Sequence, residues 1–220
     1  MAMIHQSAFD REYGLIQDEL IRMGSMVMEA ITRSMRALED TDPKLAKHVI
    51  EDDAQINGLR YQIEEACLAL IATKQPAARD LRVVIGVLNI VVEMERIGDY
   101  AAGISKTVLL MRHEPLLKTL KKIFKMGELG RKMLSDSLDA FIQQDVERAR
   151  QIAAMDPEMD QLYKDVFDRL VELMAKDPEI VTRAIYLMWT AHNFERIADR
   201  VTNIAERTIF VTTGSLTELE

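Results

Sequence analysis

An all-α protein of six long helices, arranged as two tandem three-helix bundles with a pseudo-two-fold relation, is what the sequence predicts, and three observations predict it. The 220 residues include only nine glycines and five prolines, well under the roughly 12% of average usage. Apolar residues recur at alternating steps of three and four over long segments, whereas no segment of similar length alternates with a period of two. A short acidic motif in one long helical segment also returns a hundred positions later.

Prolines mark where most of the segments begin. The first helix runs from about Phe9 to Leu38 on the apolar stripe Phe9, Tyr13, Ile16, Leu20, Met23, Val27 and Ala30. Asp42 caps the second, which starts at Pro43 and reaches Ile71. A third helix spans Pro76 to Arg112, with Val83, Val87, Ile90, Met94, Ile97, Ala101, Ile104 and Val108 forming the seam of a long core helix. The fourth runs from Pro115 to Phe141 and the fifth from Asp145 to Ala175, where Pro157 either bends the helix or breaks it in two. Asp177-Pro178 opens the sixth, which continues to Phe210 with Leu187, Phe194, Ile197, Val201 and Ile204 inward. Two repeats follow, 1–112 and 113–220.

Composition narrows the function. Twenty-eight basic against 36 acidic residues leave a net charge of −8, so no general attraction to nucleic acid or to anionic membranes is expected. The single cysteine, Cys67, cannot form an internal disulfide, and with 14 methionines it suits a reducing, cytoplasmic compartment. The longest uncharged stretches, such as Ala184 to Phe194, are about half of what a membrane-spanning helix needs, and no signal pattern leads the chain. Gly-rich phosphate loops, Cys-x-x-Cys pairs and nucleophile elbows are missing, so no enzyme is expected.

The candidate chemistry lies in the repeated acids. Glu95-Arg96-Ile97-Gly98-Asp99 returns as Glu195-Arg196-Ile197-Ala198-Asp199, each pair of carboxylates one helical turn apart on one face. Asp53 interrupts an otherwise apolar row on the second helix, beside Ala46, Val49, Ile56, Ile63, Cys67 and Leu70, with Arg60 near the edge. Asp156 does the same on the fifth, beside Ala149, Ile152, Met159, Tyr163, Val166 and Leu170. A carboxylate on an inward row needs a cationic partner or a metal. With Asn57 and Asn203 as amide oxygens the donors are hard, suiting Mg²⁺, Mn²⁺, Ca²⁺ or Fe³⁺, with Zn²⁺ also admissible. His192 could add a nitrogen, but the Glu-x-x-His order of di-iron bundles is missing.

These acid motifs, with Gln75-Pro76-Ala77-Ala78-Arg79-Asp80-Leu81-Arg82 opening the third helix, resemble the PhoU family of phosphate-signalling regulators over nearly the whole chain. The resemblance implies metal at Glu95 and Asp99 with Asp53 and Asn57, and at Glu195, Asp199 and Asn203 with Asp156 and Asp160. Iron, zinc, manganese and magnesium are the metals it brings into question. It implies a negative regulator of phosphate uptake, an adaptor between a phosphate ABC transporter ATPase and a phosphate-sensing histidine kinase. It further implies a homodimer at the inner face of the membrane, reached through those partners and without insertion. Two features depart from the pattern: Asn57 stands where an acid is more usual, and the second half lacks Asp-Leu-Arg after Pro178, so weaker binding at the first site is expected. A metal-storage or redox bundle and a metal-free helical tether are the rival readings.

Overall fold

The computed structural model describes residues 8–111 and 120–215. Among them the chain forms seven α-helices, one 3-10 turn and no strand: α1 (Ala8–Glu39), α2 (Pro43–Lys74), α3 (Ala78–Met111), α4 (Leu120–Gln143), α5 (Val146–Ala153), α6 (Asp156–Lys176), the 3-10 turn Pro178–Ile180 and α7 (Val181–Thr213). The expected start of the fourth helix at Pro115 lies outside the described residues.

Capping explains most of the boundaries. The Asp42 carboxylate accepts from the backbone N–H groups of Lys44, at 2.8 Å, and Leu45, at 3.1 Å, satisfying two of the free donors at the start of α2. Gln75 ends that helix in the left-handed region, φ 48°, donating back to the Ile71 carbonyl. Pro76 therefore falls in the connector, and α3 begins two residues later than its proline suggested.

The expected fifth helix is broken at Pro157 into α5 and α6, the second of the two readings that the proline allowed, and the six-helix plan of two bundles otherwise holds. Pro157 has no N–H and its ring would strike the carbonyl of residue 153, so a continuous helix fails at that point. The chain instead closes α5 with Ala154 N–H to Arg150, at 3.0 Å, and restarts with Pro157 in the first turn of α6. Asp156 is thereby moved from mid-helix to a helix start. Asp177 likewise caps a 3-10 turn, not an α-helix, accepting from Glu179 N–H at 3.1 Å.

Packing follows the apolar stripes. All eight seam residues of α3 are buried, as are the five of α7. The two helices pack on each other antiparallel, Gly86 facing Val211 at one end and Gly103 facing Asn193 at the other. Helix α1 lies against α2, α3 and α4, while α4 lies against α5, α6 and α7. Helices α2 and α5–α6 thus form the outer flanks, and one apolar core runs without interruption through both halves.

At the α1–α4 contact the backbones come close because each helix carries a glycine there. A Cβ at Gly24 would collide with the Leu138 side chain, and one at Gly127 would lie 2.5 Å from Met35 Sδ. An ion pair also ties the halves, Arg200 Nη1 to Glu93 Oε2 at 3.3 Å, with both side chains mostly covered.

Cys67 is fully buried on α2, and burial pushes its thiol up to about 12. Its reaction with iodoacetamide at pH 8 is expected to be on the order of 10³-fold slower in the native chain than in urea, because the thiolate is the reacting form. Equal rates would show that α2 opens freely.

Candidate functional site

The first acidic cluster lies between α2 and α3. Asp53, Asn57 and Glu95 are half-buried, whereas Asp99 is exposed. Asn57 Nδ2 donates to Asp53 Oδ2 at 3.4 Å, leaving Asp53 Oδ1 and Asn57 Oδ1 buried with no hydrogen-bond partner. Gly98 makes room for this pair, since a Cβ there would stand 3.2 Å from Asp53 Oδ1. Burial raises the Asp53 pKa, the charges of Asp99 and Glu95 add to the rise, and Lys106 and the Asn57 hydrogen bond oppose it. Arg60 reaches across from α2, its Nη1 3.2 Å from Glu95 Oε1 and its Nε 2.8 Å from Glu64 Oε1. Over the cluster lies an open groove of about 410 Å³ lined by Arg60, Val92, Glu95, Arg96, Asp99 and Tyr100.

The second cluster lies between α6 and α7. Asp156, Glu195, Asp199 and Asn203 are half-buried and Asp160 is exposed. Asp156 Oδ1 is buried without a partner, and Glu195 Oε2 sits 3.1 Å from His192 Nδ1 without forming a hydrogen bond. Arg196 pairs with Asp199 along the same helix at 2.6 Å and hydrogen-bonds Tyr100 of α3. Burial, then the charges of Asp160, Asp199 and Glu195, lift Asp156 to about 6. Burial also raises Glu195 and Asp199, against the pull of neighbouring cations. Placing Asp156 at a helix N-terminus favours its charged form, but burial and three neighbouring acids outweigh that.

The repeated acids thus come together in pairs of helices, as their spacing anticipated. Sequence reasoning missed one partner of these acids, the Arg60 bridge to Glu95, and two links beside them, Arg196 to Tyr100 and the Glu93–Arg200 tie between halves. For Arg60 there was a faint signal, a guanidinium at the edge of an apolar row. Arg79, in the motif that opens the third helix, donates to the Gln144 side chain.

The donor chemistry suits a hard cation: carboxylate and amide oxygens, several of them buried without partners, with raised carboxylate pKa values where charges are uncompensated. In the side-chain positions of this structure no group of three or more His, Cys, Asp or Glu among the described residues is arranged to hold a metal ion. Closing a coordination shell would take changes of rotamer about these oxygens.

Known proteins share this architecture. The family model described as PhoU domain matches twice, over residues 20–108 and 123–208. The phosphate-specific transport system accessory protein PhoU homolog of Clostridium acetobutylicum is 34% identical over 212 residues, 96% of this chain and 97% of that protein. Its counterpart in Escherichia coli, the phosphate-specific transport system accessory protein PhoU, is 35% identical over 209 residues, 94% of this chain and 86% of its own length. The crystal structure of the phosphate transport system regulatory protein PhoU from Streptococcus pneumoniae superposes with a TM-score of 0.90 at 33% identity, covering 96% of this chain and 100% of that one. With both halves matched and the likeness running almost end to end, the chain belongs to the PhoU family.

Proposed function

We propose that this protein is a negative regulator of phosphate uptake and phosphate-regulon signalling, acting as a cytoplasmic adaptor between a phosphate ABC transporter ATPase and a phosphate-sensing histidine kinase. The observation that carries the reading is the near end-to-end likeness to accessory proteins of phosphate-specific transport, in sequence and in fold together. No helix among the described residues is long and apolar enough to cross a membrane, so access to a membrane transporter runs through partner contact. The role is regulatory, not catalytic, and the working unit is a homodimer.

The two acidic clusters belong to the same reading. Asp53, Asn57, Glu95 and Asp99 would hold metal in the first half, and Asp156, Asp160, Glu195, Asp199 and Asn203 in the second. Iron, manganese, magnesium and zinc all match an oxygen-rich donor set to differing degrees. Bound metal would relieve the mutual repulsion of the acids and stiffen the outer helices against α3 and α7.

Expression in a bacterium lacking its own PhoU tests the regulator. Repression of a phosphate-starvation reporter should return in phosphate-rich medium, and the protein should co-purify with the transporter ATPase. A folded, well-expressed chain that leaves the reporter constitutively on would overturn the reading.

A further inference from the structure

We infer that Arg60 is a built-in counter-ion of the first acidic cluster, so that a divalent cation is taken up at the second half in preference to the first. The inference rests on the metal reading proposed above and adds which half carries it. Its origin is a difference between two helices that otherwise match. The buried positions Ile56, Leu59, Ile63 and Cys67 of α2 correspond in order and spacing to Met159, Leu162, Val166 and Leu170 of α6, as Asp53 corresponds to Asp156. Arg60 then corresponds to Tyr163, and Glu64 to Phe167.

The consequences differ across the two clefts. In the first half the guanidinium spans the α2–α3 cleft, 2.8 Å from Glu64 on its own helix and 3.2 Å from Glu95 on the other. It ties the two helices together through Glu95, and Arg96 adds a second guanidinium to the lining of the same groove. In the second half the corresponding place holds rings: Tyr163 lies 6.4 Å from Phe167 and 6.1 Å from His192. Arg196 pairs along α7 with Asp199 and hydrogen-bonds Tyr100 of α3, so it does not bridge α6 to α7.

Charge count points the same way. Asp160 supplies a carboxylate where the first half has the amide of Asn57. No ion pair among the described residues reaches Asp156 or Asp160 from across the cleft, and Asp156 keeps a buried oxygen with no partner. A cation entering the first cluster must displace a tethered one; at the second it meets acids compensated only in part.

Equilibrium dialysis of the full-length protein against Mn²⁺, with stoichiometry read by elemental analysis, tests the inference. Wild type should bind at a site lost in Glu195→Gln and kept in Glu95→Gln. Arg60→Tyr, which copies the second half, should add a site and raise Mn²⁺ affinity at the first half about ten-fold, in line with removing one nearby charge. Arg60→Leu should do the same should the tyrosine pack poorly, and Arg60→Lys should behave as wild type. If wild type loads both halves alike, or folded Arg60→Tyr and Arg60→Leu gain nothing, the inference is wrong and the metal reading stands. Mn²⁺ bound by none of the folded proteins would overturn the metal reading, and the inference with it.

Discussion

Phe194→Ala is expected to destabilise the folded chain by about 3–5 kcal/mol, the loss typical of a large aromatic side chain removed from a closed core. Phe194 is fully buried and is among the largest such side chains in the protein. It sits on α7, the helix that touches α3, α4, α5 and α6, so rigid neighbours surround the void and little of it can collapse. For a chain of this length the melting midpoint should fall by roughly 6–20 °C. Denaturant titration of the variant beside wild type measures it, and a loss below about 1 kcal/mol would show that α7 packs more loosely than its burial indicates. Because Glu195 is the next residue, the same variant should also weaken the cation uptake proposed for the second cluster.

Acidification from pH 7 to pH 5 is expected to raise the melting midpoint in the presence of EDTA, opposite to the common trend. Asp156 has a folded pKa of about 6 against an ordinary 3.8. Below the ordinary value it is protonated in both states and contributes nothing. Between the two values the native state binds more protons than the unfolded one, so stability falls as pH rises, and above about 6 the whole penalty is present. A shift of that size corresponds to about 3 kcal/mol at most, and solvent screening of the half-exposed group lowers it to about 2 kcal/mol. Asp53, Glu195 and Asp199, also raised, add in the same direction. The carboxyls held low, Asp42, Asp136 and Asp165, lose their contribution only below their ordinary value, outside this interval. Asp156→Asn should therefore raise the midpoint at pH 7 and flatten the slope between pH 5 and 7. A slope that survives the substitution unchanged would place the titrating group elsewhere.

Much of this was legible in the residues. Long helices announce themselves because burial repeats every three or four positions, and the α3 seam, Val83 to Val108, is covered without exception. The acid repeat was legible for the same reason, since Asp53 and Asp156 interrupt rows that are otherwise inward. What stayed hidden is tertiary. Whether Pro157 bends a helix or ends one depends on how the chain on either side docks, and here α5 and α6 both pack against α4 and α7. Arg60 meets Glu95 only because a long side chain spans a cleft between residues 35 positions apart. The exposure of Asp99 and Asp160, against the burial of their partners, likewise depends on the tilt of neighbouring helices, which spacing along one chain does not encode.

The glycine contacts between α1 and α4 carry a consequence for how the two halves are related. Gly24 receives Leu138, and Gly127 receives Met35. Gly24 and Gly127 occupy equivalent positions in their halves, as do Met35 and Leu138, so each half owns one notch and one peg, and the two contacts are the same contact made twice. A surface of this kind is isologous, the geometry of a symmetric pair of subunits. Here both copies are written into a single chain, which holds them together at fixed one-to-one stoichiometry and high effective concentration. Each copy is then free to diverge at its outer cleft, as Arg60 and Tyr163 have, without loss of the match at the centre.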